Sequence, residues 1–239
     1  MKKLETLEMM PTRIRFASIL RKAILSGEFQ EGEELSLTAI ANNLGVSRTP
    51  VREAFQTLAT ENLLQLRMNK GAIVKGITVK TIQEHFKMRI LLEGEAAARA
   101  AMRGFDATHL LEQHRRMLEL DGNFSTEQYQ SYNQELHTSL WKAADNSKMY
   151  SILSSLWNGS SFGKTVKAKD HQLISLEEHG RILEYIQTHN PYLVRKEMEH
   201  HIERSMNNII ESFRAREEGL KAQEEGSHPE SSIRPEKRA

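Results

Sequence analysis

The 239-residue chain is 38% hydrophobic and 27% charged, with a formal net charge of +1; that suits one large or two modest globular domains and does not mark the whole chain for a polyanion. There is no cysteine, which excludes disulfides, thiolate catalysis and cysteine metal sites and suits a reducing compartment. No apolar run approaches the roughly 20 residues of a membrane span, and acids and arginines interrupt the opening stretch where a signal peptide needs an apolar core, so a cytoplasmic protein without a membrane partner is expected.

In chain order, the first periodic segment is Thr12 to Ser26, with Phe16, Leu20, Ala23 and Ile24 on one side and Gly27 as a stop. A short helix follows Ser36, turns Leu37, Ile40, Ala41 and Leu44 inward, and ends at Gly45, because a left-handed cap position tolerates glycine best. Ser47 then caps a third helix in which Pro50 is the third residue. A proline in the first turn loses nothing, since that N–H has no intrahelical partner. Val51, Ala54, Phe55 and Leu58 face inward, which leaves Arg48, Thr49 and Arg52 outside.

Leu64, Leu66, Ile73 and Val74 flank a polar tip, Asn69-Lys70-Gly71. Alternation on either side of a glycine turn predicts a β-hairpin. Two helices joined by a tight glycine turn and followed by a hairpin describe a winged helix-turn-helix. From Ser36 to Lys80 there are six basic residues and two acids. That local excess is the electrostatic footprint of a phosphate-binding face. A helix in the major groove reads bases with its first residues: arginine bonds guanine bidentately, while hydroxyls and backbone N–H groups hold phosphates. Ser47, Arg48, Thr49 and Arg52 are those residue types at that end, and Asn69, Lys70 and Gly71 form a tip that reaches a neighbouring groove or phosphate.

After Gly76 the spacing is helical throughout. Thr78 caps a long helix to about Met102, and further helices are expected over Asp106–Leu120, Thr126–Ala144, Ser147–Lys167, Leu176–Thr188 and Pro191–Arg214. The fold class is therefore mainly α. Residues 10–76 form the winged helix-turn-helix, residues 78–215 an all-α bundle, and residues 216–239 a charged tail with few large apolar side chains, expected to be disordered.

Two features of the bundle resist a purely apolar reading. Arg89 lies on the inward stripe of its helix with Glu93 one turn on, and a buried charge is costly unless paired. The two are either an internal ion pair or an arginine held inside to meet an anionic ligand. Asn133 and His137 also point inward, as do His179 and His201 on two later helices. Each histidine alone is satisfied as a core residue. Three together with an inward amide can converge in a bundle as a metal site with an open position.

The stretch "LGVSRTPVREAF", with "ILSGEFQEGEELS" before it and "NKGAIV" after it, resembles the GntR family of bacterial transcription regulators. "FKMRILLEGEAAARAA", "NQELHTSLWKAADN", "EEHGRILEYI" and "MEHHIERS" resemble the successive motifs of the C-terminal ligand-binding domain of its FadR-like branch. Two departures are visible: Asn62 stands where glycine is usual before the wing, and Leu37 where an acid is common. The resemblance implies a homodimeric regulator of palindromic double-stranded operators. It also implies a divalent metal, zinc or nickel, held by Asn133, His137, His179 and His201, with a small carboxylate or sugar acid bound nearby at Arg89 and Glu93. Aspartate is the more usual residue at the position of Asn133, and an amide oxygen ligates more weakly. A metalloenzyme that activates water at the histidines, or a metal sensor without an organic effector, is the competing reading. The first lacks a general base beside the ligands and leaves the basic helix unexplained.

Overall fold

The protein is described by a computed structural model over residues 12–68, 70–157 and 168–226. Its first part holds α1 (Thr12–Leu25), β1 (Glu34–Leu35), α2 (Leu37–Asn43), α3 (Arg48–Thr60), β2 (Leu64–Arg67) and β3 (Gly71–Val74). The three strands are antiparallel in the order β1-β3-β2, with Leu64 opposite Val74 and Arg67 opposite Gly71. This is the expected winged helix-turn-helix with one strand more than the sequence reading gives. Two residues, Glu34 and Leu35, are too short a run to show alternation.

Local chemistry accounts for the turns. Ser36 accepts from the Ala39 N–H and starts α2. Gly45, at φ +66°, lets the chain reverse into α3. Asn62 has φ +64°, which explains why glycine is usual there. Asparagine is among the side chains that tolerate that region, and the Asn62 amide oxygen also accepts from Lys75. At Gly71 an added Cβ would lie 2.0 Å from the Leu35 carbonyl oxygen, so the strand crossing itself demands glycine.

The second part is α4 (Val79–Met102), α5 (Thr108–Glu119), α6 (Thr126–Ala143), α7 (Ser147–Leu156), α8 (Ala168–Gln187) and α9 (Pro191–Gly226). A buried run of alanines on α4, Ala96 to Ala98 with Ala100 and Ala101, leaves room for close helix packing. At Gly94 a Cβ would sit 3.0 Å from Glu199 of α9. The apolar core is continuous from Leu20, Ile24 and Phe55 through Ile82 and Phe86 to Ile182, Met198 and Ile202.

Three helix bounds differ from the sequence reading. The helix expected over Ser147–Lys167 ends at Leu156, where Trp157 leaves in an extended conformation; the rest of that expected span lies outside the described residues. The helix expected from Leu176 begins at Ala168. Its inward stripe is continued towards the N-terminus by Gln172 and Ser175, both buried, and apolar periodicity does not count polar side chains. The last helix runs to Gly226 rather than Arg214, so part of the segment expected to be disordered is helical. "REEGLKAQEEG" is mostly strong helix formers.

Candidate functional site

On α3, Val51, Ala54, Phe55 and Leu58 are buried as the spacing predicts, and Ser47, Arg48, Thr49 and Arg52 are exposed. Ser47 is the N-cap residue in extended conformation, but its hydroxyl makes no capping bond. The hydroxyl and the leading N–H groups therefore face outward at the positive end of the helix dipole, where a phosphate is favoured. Arg48 and Arg52, one turn apart, form no ion pair among the described residues. At the wing, Lys70 is exposed, Gly71 is held against β1, and Asn69 lies outside the described residues.

Inside the bundle, α6, α8 and α9 bring His137, His179 and His201 together. All three are buried, and their ligand nitrogens lie within 4.8 Å of one another. His179 Nε2 and His201 Nε2 are 3.4 Å apart. Two nitrogens on one zinc ion at about 2.0–2.1 Å are separated by a similar distance, about 3.3 Å in tetrahedral geometry. The Nδ1 atom of His179 is buried with no hydrogen-bond partner. A buried nitrogen without a partner is costly in an apolar core; the ring is thus not held from behind as those of His137 and His201 are, and it is the spacing of the Nε2 atoms that fits a cation.

Carboxylates hold two of the rings from behind. Glu93 Oε2 accepts from His137 Nδ1 at 2.5 Å and from Trp141 Nε1 at 3.3 Å, while its Oε1 accepts from Arg89 at 2.7–2.8 Å. Glu178 Oε2 accepts from His201 Nδ1 at 2.7 Å, and Arg204 donates to both oxygens of the same carboxylate. A carboxylate on Nδ1 fixes the tautomer that leaves Nε2 free to ligate. Burial pushes the Glu93 carboxyl up, but Arg89 and His137 outweigh it and hold the group at about 2. Burial also raises Glu178, and His201 and Arg204 bring it down to about 2. Burial lowers His201 to about 4 despite Glu178, and lowers His179 well below the usual histidine value, with the neighbouring histidines adding to it. The latter two imidazoles are thus neutral near pH 7, the form that ligates a metal.

Each expected site residue of the bundle can be placed. Asn133 is buried on α6, one turn before His137. Arg89 is 3% exposed, pairs with Glu93, and lies 5.3 Å from the ring centres of Phe86 and Trp157. Glu93, fully buried, spends both oxygens inside the protein and so supports the histidine centre. Sequence reasoning missed Glu178 and Arg204. Glu178 precedes His179 in the chain, but its bond to His201 joins α8 to α9, which helical spacing within one segment cannot show. It missed Trp157 too, whose ring stands 5.2 Å from that of His137.

Residues 15–74 match the family described as bacterial regulatory proteins, gntR family, and residues 84–204 match the FCD domain. An uncharacterised HTH-type transcriptional regulator of Bacillus subtilis, YdhC, is 29% identical over 187 residues, covering 75% of this chain and 83% of that protein. The gluconate operon transcriptional repressor of the same species is 45% identical over 82 residues, about a third of either chain (34% and 33%). Among solved structures, McbR/YncC of E. coli shares the fold, with a TM-score of 0.66 at 18% identity over 86% of this chain and all of that one.

Proposed function

The chain belongs to the GntR family of bacterial regulatory proteins and carries an FCD domain, and on that premise we propose that it represses transcription from a palindromic operator under control of a small anionic effector. In this reading it acts as a homodimer, because two copies of α3 are needed to read two half-sites. Arg48 and Arg52 contact base edges, while Ser47, Thr49 and Lys70, with Asn69 and Gly71 at the wing tip, hold phosphate.

His137, His179 and His201 would hold one divalent cation, zinc or nickel, with Asn133 as a weak fourth contact. The cation would supply an electrostatic anchor for a carboxylate or sugar acid. Arg89 lies nearby but is matched by Glu93, so the cation supplies most of the attraction for an anion. The convergence of three buried histidines, two of them backed by carboxylates, is the observation that carries this part. The name of the gluconate repressor supports repression as the sign of control. Belonging to a family of regulators disfavours the metalloenzyme reading, and so do the two acids, which face histidine Nδ1 atoms and arginines rather than an open site.

Operator selection from random duplexes, followed by footprinting and elemental analysis of the purified protein, tests the proposal. The expected outcome is a protected palindrome bound by a dimer that carries about one cation per subunit. A monomer protecting a single half-site contradicts the dimer. Metal-free protein that takes up no zinc or nickel contradicts the metal centre.

A further inference from the structure

The two domains meet at a buried arginine that DNA reading alone does not require. Arg21, on α1, is fully buried. Its Nε donates to Glu61 Oε2 at 2.6 Å and its Nη2 pairs with Glu61 Oε1, while its Nη1 donates to the Trp157 carbonyl at 2.7 Å. Glu61 is the C-cap residue of α3, the helix whose other end carries Arg48 and Arg52. A carboxylate at a helix C-terminus runs against the helix dipole, and Arg21 offsets that. At the other end of the bridge, Trp157 packs against the histidine centre in tilted and edge-on contacts. Its ring centre is 5.2 Å from that of His137 and 5.4 Å from that of Trp141, and the Arg89 guanidinium lies 5.3 Å over it. One side chain therefore joins the end of the recognition helix to the residue that walls the histidine centre.

We infer that Arg21 is the positioning residue through which the histidine centre and α3 sense each other: a change around His137 displaces Trp157, and Arg21 carries the displacement to Glu61. This rests on the reading of α3 as the DNA-contacting helix. Coupling between two sites is reciprocal, so operator binding disturbs the histidine centre as well. The alternative, a clamp that merely stabilises, predicts the same bonds but no communication.

Reciprocity gives a readout that needs no identified effector. The chain's only two tryptophans are Trp141 and Trp157, both at the centre and neither on α1, α3 or the wing. The experiment is tryptophan emission of the full chain at saturating concentrations of a selected operator duplex, for the wild type, Arg21→Gln and Glu61→Gln. The wild type is expected to shift in emission when operator is bound. Arg21→Gln and Glu61→Gln are expected to lose that shift while still binding. If Arg21→Gln does not fold, Glu61→Gln decides, because it breaks the same bridge from a partly exposed position.

Operator binding without an emission shift in the wild type overturns the inference, and so does a shift that persists in the bridge variants. A chain that selects no operator overturns the DNA-reading account and this inference with it.

Discussion

Glu93→Gln is nearly isosteric, yet the geometry predicts two large effects. Glu93 is fully buried and serves Arg89 with one oxygen and His137 and Trp141 with the other. A glutamine amide has one acceptor and one donor end. If its oxygen faces Arg89, its NH2 meets His137 Nδ1, drives the ring proton to Nε2 and blocks the ligating nitrogen. If it faces His137, the NH2 meets the Arg89 donors. In either orientation the buried Arg89 guanidinium loses the negative charge of Glu93. Breaking a buried pair on one side costs about 3–5 kcal/mol, and loss of a partner behind a ligating histidine costs about 10–100-fold in metal affinity. Denaturant unfolding of the chelated protein and calorimetry with zinc read the two effects separately. Adding Arg89→Leu to Glu93→Gln removes the guanidinium whose charge Glu93 had offset, so stability is expected to recover in part while metal affinity stays low. Unchanged unfolding and unchanged zinc affinity in the single variant would refute the assigned role of Glu93.

Arg48→Ala and Arg52→Ala are each expected to weaken specific operator binding by about 1–3 kcal/mol, whereas Lys70→Ala weakens binding evenly across sequences and lowers the salt slope by about 1, all read by gel shift at several salt concentrations. Asn133→Asp adds a negative ligand and is expected to tighten zinc binding, while His179→Ala is expected to abolish it; titration calorimetry decides both. Chelated protein is expected to lose stability as pH falls from about 6.5 towards about 4. Burial depresses His201 and His179 in the fold, so over that window the unfolded chain binds more protons and acid favours it. Urea midpoints across the window measure this, and a midpoint that rises on acidification contradicts the buried neutral histidines.

What the sequence made legible was local. Ser36, Gly45, Ser47 and Pro50 place α2 and α3 because each acts on its own few residues, and the inward spacing of His137, His179 and His201 follows from helical period alone. The partners of those histidines were not legible. Glu178 reaches His201 across two helices, and Arg21 reaches Glu61 and Trp157 over 40 and 136 residues of chain. No local pattern encodes such contacts. The early start of α8 was hidden because Gln172 and Ser175 are polar residues on a buried stripe. Arg89 and Glu93 were legible as a pair, but the bond from Glu93 to His137 needed the fold.

In the proposed function, an anion bound at the histidine centre sets the affinity of α3 for its operator. Gel-shift affinity on the selected operator, measured for zinc-loaded and chelated protein across a panel of small carboxylates and sugar acids, tests it most directly. At least one acid is expected to change the affinity by about 5–150-fold with zinc present and to have little effect once zinc is removed. If no acid changes the affinity, or an acid acts equally on the chelated protein, the histidine centre is not the effector site.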